Sequence, residues 1–347
     1  EGLYSNTIND VTFRNINLEA PTPGGTSDGQ YPIEGSKYGR PFYGTPGGDV
    51  NRVSERFTNA ILLENTDEGY QYSLTGEIQR NVREGIGGSL SYTYTRAENV
   101  NNGSSSRAIS NWQFNENKDI NDPSLGTADY EIRHRILGTL NYTFTYADRF
   151  GTTLGLIYEG RSGEPFSWIY DGNANGDTQT LNDLVYVPEN ESDIILESDN
   201  WDLMNAFIEG NEALDDARGS VIDRNTARAP WQNILDVRLS QRIQTFEGQR
   251  IEFIAEVDNF LNLLNDDWGR IENTSFNNIT AWAFEGYVTP DEVGTRENGR
   301  ILTEDDVGKP RVNFEEETVR EKLNGDQFFI QDIPSRWRAR LSIKYTF

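Results

Sequence analysis

The 347-residue chain sets 56 acidic against 31 basic side chains, a formal net charge of −25, and shows no basic stripe of the kind that grips nucleic acid. It has no cysteine, which excludes disulfides and cysteine-ligated zinc. Hydrophobic residues make up 35% and the mean hydropathy is −0.69, so no run approaches the roughly 18 apolar residues of a membrane-crossing helix. A membrane-crossing β-barrel stays open, because only every second residue of its strands meets lipid.

In chain order, eight segments alternate apolar and polar residues with the period of two that puts one set on each strand face. Residues 3–13 form the faintest. The next carries Tyr70, Tyr72, Leu74 and Ile78 and reads as one long strand running from Phe57 to residue 81. In 85–97, Ile86, Leu90, Tyr92 and Tyr94 oppose Ser89, Ser91, Thr93 and Thr95. In 132–146, Ile136, Leu140, Tyr142, Phe144 and Tyr146 oppose Thr139, Asn141, Thr143 and Thr145, with Gly138 on the apolar face. Segment 150–161 has Leu154, Leu156 and Tyr158 on one face. Segment 231–244 sets Leu235, Val237 and Leu239 against Asp236, Arg238, Ser240 and Arg242. Segment 250–262 sets Ile251, Phe253, Ala255 and Val257 against Glu252, Glu256 and Asp258.

The last segment, 335–347, ends Leu341-Ser342-Ile343-Lys344-Tyr345-Thr346-Phe347, so Leu341, Ile343, Tyr345 and Phe347 share one face. A final strand that stops on an interfacial Phe is the common close of bacterial outer-membrane barrels. Charged residues on the second face need water, and a dry sandwich core could not hold them cheaply. A wide, wet lumen satisfies them, as would one exposed face of a soluble sheet.

The connections fall into two kinds. Short ones are 82–84, 147–149 and 245–249; long ones are 18–55, 98–131, 162–230 and 263–334. They alternate along the chain, as expected when short turns lie on the periplasmic side and long loops outside. Residues 279–288, with Trp282 and Phe284 on one side, are strand-like too. Counting them as a spanning strand breaks the alternation, so they are assigned to an extracellular loop. The fold expected is therefore all-β: an antiparallel transmembrane β-barrel with about eight strands in this chain and long extracellular loops.

Several residues then resemble a known family. Asp258-Asn259-Phe260-Leu261-Asn262-Leu263-Leu264-Asn265, followed by Trp268-Gly269, is similar to the penultimate-strand signature of TonB-dependent outer-membrane receptors. Arg133-His134-Arg135-Ile136, Asp171-Gly172-Asn173-Ala174-Asn175-Gly176-Asp177 and Asn182-Asp183-Leu184-Val185-Tyr186-Val187-Pro188 fit the same pattern. Together they resemble the Oar-like branch found in Bacteroidetes and myxobacteria, over roughly residues 55–347. Such receptors build about 22 strands around a plug. The resemblance implies that the eight strands here are the C-terminal portion of a larger barrel. It places the plug, the TonB box and an N-terminal domain outside this chain. Glu1 is not Met and no signal peptide is recognisable, so the chain reads as a mature or internal fragment.

By the same resemblance, the chain lies in the bacterial outer membrane, in contact with lipid and lipopolysaccharide. It meets the TonB complex through the plug, and takes up or exports a large or scarce substrate. The barrel assembly machinery would read Leu341, Ile343, Tyr345 and Phe347. A surface lipoprotein or a peptide is a further partner expected of the acidic loops. Two other readings stand beside this one: a receptor-like barrel serving as a secretion or assembly scaffold, and a soluble β-rich binding module.

One loop offers metal chemistry. Asp171, Asn173, Asn175 and Asp177 occupy positions 1, 3, 5 and 7 of an EF-hand-like count with Gly176 at position 6, the oxygen-rich spacing that Ca²⁺ uses. Position 12 is Asn182 instead of Glu, and Asp183 follows. The competing reading is a polar turn in which Asn, Gly and Asp satisfy backbone geometry. The single histidine, His134, sits between two arginines at a strand start and reads as an interfacial or lumen residue. Paired carboxylates such as Asp215/Asp216 and Asp305/Asp306 are expected by chance in so acidic a chain, and no enzyme is read from it. Trp112, Phe114, Trp168, Tyr170, Trp201, Trp231, Trp268 and Trp282 lie in or beside the long loops, where aromatics either pack loops together or stack on ligands.

Overall fold

A computed structural model of the chain describes residues 1–7, 10–19, 40–44, 50–81, 85–246, 248–297, 299–315 and 327–347. Alternation does build strands. Eight of them form one antiparallel sheet: β1 (Gly2–Asn6), β2 (Tyr70–Arg80), β3 (Gly85–Asn99), β4 (His134–Tyr146), β5 (Phe150–Arg161), β6 (Gln232–Gln244), β7 (Arg250–Asp258) and β8 (Arg338–Thr346). Each pairs with its neighbour in sequence, so the sheet is a simple meander. The two-residue strand Gly126–Thr127 adds only to the far end of β3.

Register lines up one apolar face across the sheet. Tyr142 lies opposite Leu154, Leu154 opposite Leu239, Leu239 opposite Ala255 and Ala255 opposite Leu341. A shift by one residue would move this apolar set to the other face, so pairing here is strongly specified. These apolar groups are solvent-facing: Leu341 is 84% and Ile343 71% exposed. From Ile136 to Tyr146, β4 advances about 34 Å, or about 26 Å along the membrane normal at the usual strand tilt, which matches the apolar band of such walls. Aromatics fringe the band at both ends. Tyr142, Phe144, Tyr146 and Phe150 stack in series near the short turns, with Tyr345 against Phe347 nearby. Tyr72, Tyr94 and His134 cluster at the other end.

The opposite face is mainly polar, with Leu137, Ile157 and Ile254 interspersed. Thr75 meets Thr93, Ser89 meets Thr139 and Thr143 meets Thr153 through hydroxyl hydrogen bonds of 2.9–3.0 Å. Glu256 pairs with both Arg238 at 3.4 Å and Arg340 at 2.8 Å, and Arg135 with Glu159 at 2.8 Å. Such half-exposed pairs contribute little to stability; they mark a wet surface.

Four segments differ from the sequence reading. The strand expected from Phe57 to residue 81 is broken at residues 67–69: Ile61–Thr66 pairs with Asp10–Asn15, and β2 begins at Tyr70. Gly69, with φ +133°, makes the break, and its carbonyl receives Thr7 N–H at 3.0 Å, so residues 3–13 break at the same level. Segment 250–262 stops being a strand at Asp258, because Asn259 turns into the left-handed region (φ 52°) and starts the short helix Phe260–Leu264. Segment 335–347 becomes a strand only at Arg338, after a helical turn over Asp332–Ser335. Of the three short connections, 147–149 is a tight turn with Ala147 and Asp148 at positive φ, whereas 82–84 lies outside the described residues.

The long connections fold. Asn278–Tyr287 is a strand, as its pattern suggests, and it belongs to a separate five-stranded sheet beyond the wall. There it runs antiparallel to Pro310–Asn313 and parallel to Pro165–Asp171, which joins two long loops. Trp168, Tyr170, Trp282 and Phe314 are buried on this sheet, and the helix Trp201–Glu209 covers it with Met204, Phe207 and Ile208. A second cluster of Phe13, Leu18, Tyr43, Trp112 and Ile120 unites the other two long loops. The result is a packed cap at the long-loop end of the wall.

Candidate functional site

The signature at residues 258–269 forms a knot where β7 leaves the wall and β8 enters it. The Asn259 amide donates to Gly269 O at 2.8 Å and to Ser335 O at 3.0 Å, while Asn259 N–H donates to Asp236 Oδ1 at 2.8 Å. Gly269 is the residue that allows this: a Cβ there would lie 2.0 Å from Asn259 Oδ1. The Asn262 amide donates to Trp268 O at 3.0 Å and its Oδ1 accepts Trp337 N–H at 3.3 Å. The motif thus fixes where the last strand begins.

A second knot joins wall and cap. Glu131, fully buried, accepts from Ala97 N–H at 2.7 Å and pairs with Arg133 at 2.9 Å and with Arg228. Buried Arg224 donates to Asn115 Oδ1 at 3.0 Å and to Asn99 Oδ1 at 2.7 Å, spanning three stretches of chain. Its neighbour Asn225 donates to Thr127 O at 2.8 Å. Between rim and cap lies a groove lined by both signs of charge, among them Arg96, Arg133 and Arg228 and Glu212, Asp216 and Asp223.

Residues 174–177 and 182–183 of the loop at 171–183 are buried inside the cap, and the structure gathers most but not all of its expected ligands. Asp177 and Asp183 are 0% exposed, and Asn175 and Asn182 are buried with them. Asp171, by contrast, lies at the surface at the end of its strand. Asn173 Oδ1 and Asn175 Oδ1 both accept Asp177 N–H, at 3.1 and 2.9 Å. Asp183 accepts Arg40 Nη1 at 3.0 Å and Ala174 N–H at 2.7 Å. Burial, and then the charge of Asp183, push the Asp177 carboxyl up to about 7; burial raises Asp183 too, with Arg40 opposing. Among the described residues, no three carboxylate or imidazole side chains converge as a metal-binding group.

Leu341, Ile343, Tyr345 and Phe347 all project from the outer face of β8. His134 accepts or donates one hydrogen bond with Tyr92 OH at 2.8 Å and stacks among tyrosines at the rim. Trp112, Trp168, Tyr170 and Trp282 are buried and serve packing, while Phe114, Trp231 and Trp268 remain exposed. Sequence reasoning missed Arg40, Glu131 and Arg224. Arg40 meets Asp183 across 143 residues, and no local pattern signals that.

No curated protein and no solved structure matches the chain. A protein-family model described as an outer membrane beta barrel domain matches residues 5–290, which takes in β2 to β7 and most of the cap. With an apolar belt facing outward, a wet inner face and long loops gathered at one end, the chain belongs to the outer membrane beta barrel domain family and lies in the bacterial outer membrane.

Proposed function

We propose that the chain forms part of the wall and the external vestibule of a TonB-dependent transporter of the Oar-like kind, moving a large or scarce substrate through a plugged barrel. The observation that carries this reading is the inner face of β4 to β8. Arg135, Glu159, Arg238, Glu256 and Arg340 stand there in water-exposed pairs, which a small barrel filled by its own side chains accommodates poorly. Among the described residues, β1 and β8 each have a free outer edge. Open edges are not viable in lipid, so further strands complete the wall in this reading. The plug, the TonB contact and the N-terminal domain then belong to the same, longer polypeptide. The interlocked cap also suits a receptor-like barrel that holds partner proteins for secretion or assembly, and co-extracted partners would favour that second reading.

Denaturing mass spectrometry of the native, detergent-extracted protein tests the proposal. The transporter reading expects a polypeptide roughly two to three times the 39.4 kDa of this chain, room for a plug and the remaining strands. A native mass of 39.4 kDa would remove it.

A further inference from the structure

We propose that the cavity at the long-loop end of β1, β2 and β3 is a binding site for a neutral oligosaccharide. The inference is independent of what the barrel transports. The cavity encloses about 580 Å³, within the range of small-molecule sites. Ser5 and Thr7 border it from the β1 side, Tyr70 and Gln71 from the start of β2, and Glu98 and Asn99 from the end of β3. The hairpin of Asp10–Asn15 with Ile61–Thr66 and residues of the 101–111 stretch supply further walls.

Its polar groups are unspent. Asparagines elsewhere in the cap are used up in ties between distant segments, as Asn17 is to Ser54 O and Asn225 to Thr127 O. Around this cavity the side chains of Ser5, Thr7, Gln71, Ser106 and Tyr130 make no hydrogen bond among the described residues. Asn102 Oδ1 accepts Asn99 Nδ2 at 2.8 Å and Asp129 N–H at 3.1 Å, which leaves the Asn102 NH₂ without a partner among them. Other asparagines brace this surface. Asn101 Oδ1 accepts Gly103 N–H at 2.7 Å, Asn101 Nδ2 donates to Asn111 O at 2.7 Å, and Asn111 Oδ1 accepts Ser105 N–H at 2.8 Å. Groups braced in this way lose little freedom when a ligand arrives.

Charge decides the class of ligand. No Lys, Arg or His is among the described residues that line the cavity, so a phosphorylated, sulfated or uronate-bearing sugar lacks a counter-charge there. Of its two carboxylates, Glu98 already pairs with Arg96 at 2.5 Å, which leaves Asp10 as the one acid without an ion pair among the described residues. A single such acid amid amides and hydroxyls suits sugar hydroxyls, which both donate and accept, better than a cation. Sugar rings also carry an apolar C–H face. Val11, Phe13 and Leu63 share one face of the hairpin and line the cavity, Val11 and Leu63 in exposed positions. Tyr130, 62% exposed on the lining, adds a rigid amphipathic platform at low entropic cost.

The test uses the full-length protein, solubilised in a detergent without a sugar head group and titrated by calorimetry. The neutral probes are the hexasaccharides of maltose, cellobiose, mannose and galactose; hexagalacturonate is the acidic probe and the chitosan hexamer the cationic one. The expected result is one neutral hexasaccharide bound per chain, more tightly than either charged probe. Tyr130→Ala and Gln71→Ala are each expected to weaken that binding roughly tenfold with the melting midpoint unchanged. Phe276→Ala, at an aromatic 89% exposed on another loop, is expected to leave it intact. Neither Tyr130 nor Gln71 makes a side-chain hydrogen bond among the described residues, so both variants should fold. Binding of none of the four neutral probes, tighter binding of a charged one, or full affinity in both Tyr130→Ala and Gln71→Ala would each overturn the proposal.

Discussion

Glu116 sits inside the cap, where Asn278 Nδ2 donates to its Oε1 at 2.7 Å. Burial pushes its carboxyl up to about 7, and the Asn278 hydrogen bond only partly opposes this. The folded pKa therefore exceeds the ordinary value of 4.5, and the folded state holds the proton more tightly. The contribution is complete below about pH 4.5, shrinks as pH rises, and is gone above about 7. Over that window the group removes about 3 kcal/mol of cap stability. Denaturant unfolding followed by tryptophan fluorescence should show a midpoint that falls between pH 5 and pH 8. Glu116→Gln keeps an acceptor for Asn278 and should reduce that slope, leaving the part that Asp177 contributes; an unchanged slope would mean the proton is held elsewhere. Neither Glu116 nor Asn259 announces its role in sequence. Asn259 is read there as the tail of a strand, while its left-handed turn is held by Ser335, 76 residues away.

At the scale of the element, the strands carry their own instructions. Leu154 on β5 pairs with Tyr142, one residue from the middle of the Ile136–Tyr146 stretch, and faces outward, while Thr153 faces the wet side and bonds Thr143. Leu154→Arg should cost about 2–4 kcal/mol of folding stability in a bilayer, and Thr153→Arg far less. Folding titrations into lipid vesicles measure both, and equal costs would reject the assignment of faces. Alternation made these strands legible because each wall face meets one solvent over its whole length. The breaks were not legible. Gly69, whose carbonyl accepts Thr7 N–H, breaks the strand expected from Phe57 just before β2, and Asp332–Ser335 delays β8 because Ser335 is tied to Asn259 and to Ile271. The candidate site shows the same division. Its residue types and spacing were visible, but which of them turn inward depends on Arg40, Tyr43 and Asn117 arriving from distant loops.

At the scale of the molecule, a two-faced wall carries an interlocked cap, so the loops present one shaped surface to the outside. The cap joins by cross-loop pairing, Pro165–Asp171 with Asn278–Tyr287, and by buried polar ties such as Arg224 to Asn99 and Asn115. That arrangement has meaning only if the wall stands in lipid with its apolar face outward, and adjacent rows of the sheet provide the direct test. The chain has no cysteine, so single cysteines can be placed in the outer row at Leu154, Leu239, Ala255 and Leu341, and in the inner row at Thr153, Ser240 and Ser342. Each is labelled with a fluorophore in the reconstituted protein and challenged with lipid-borne and water-soluble quenchers. The account predicts that outer-row labels are quenched from lipid and inner-row labels from water, alternating residue by residue. Labels in both rows quenched from water alone would contradict it and return the sheet to a soluble module.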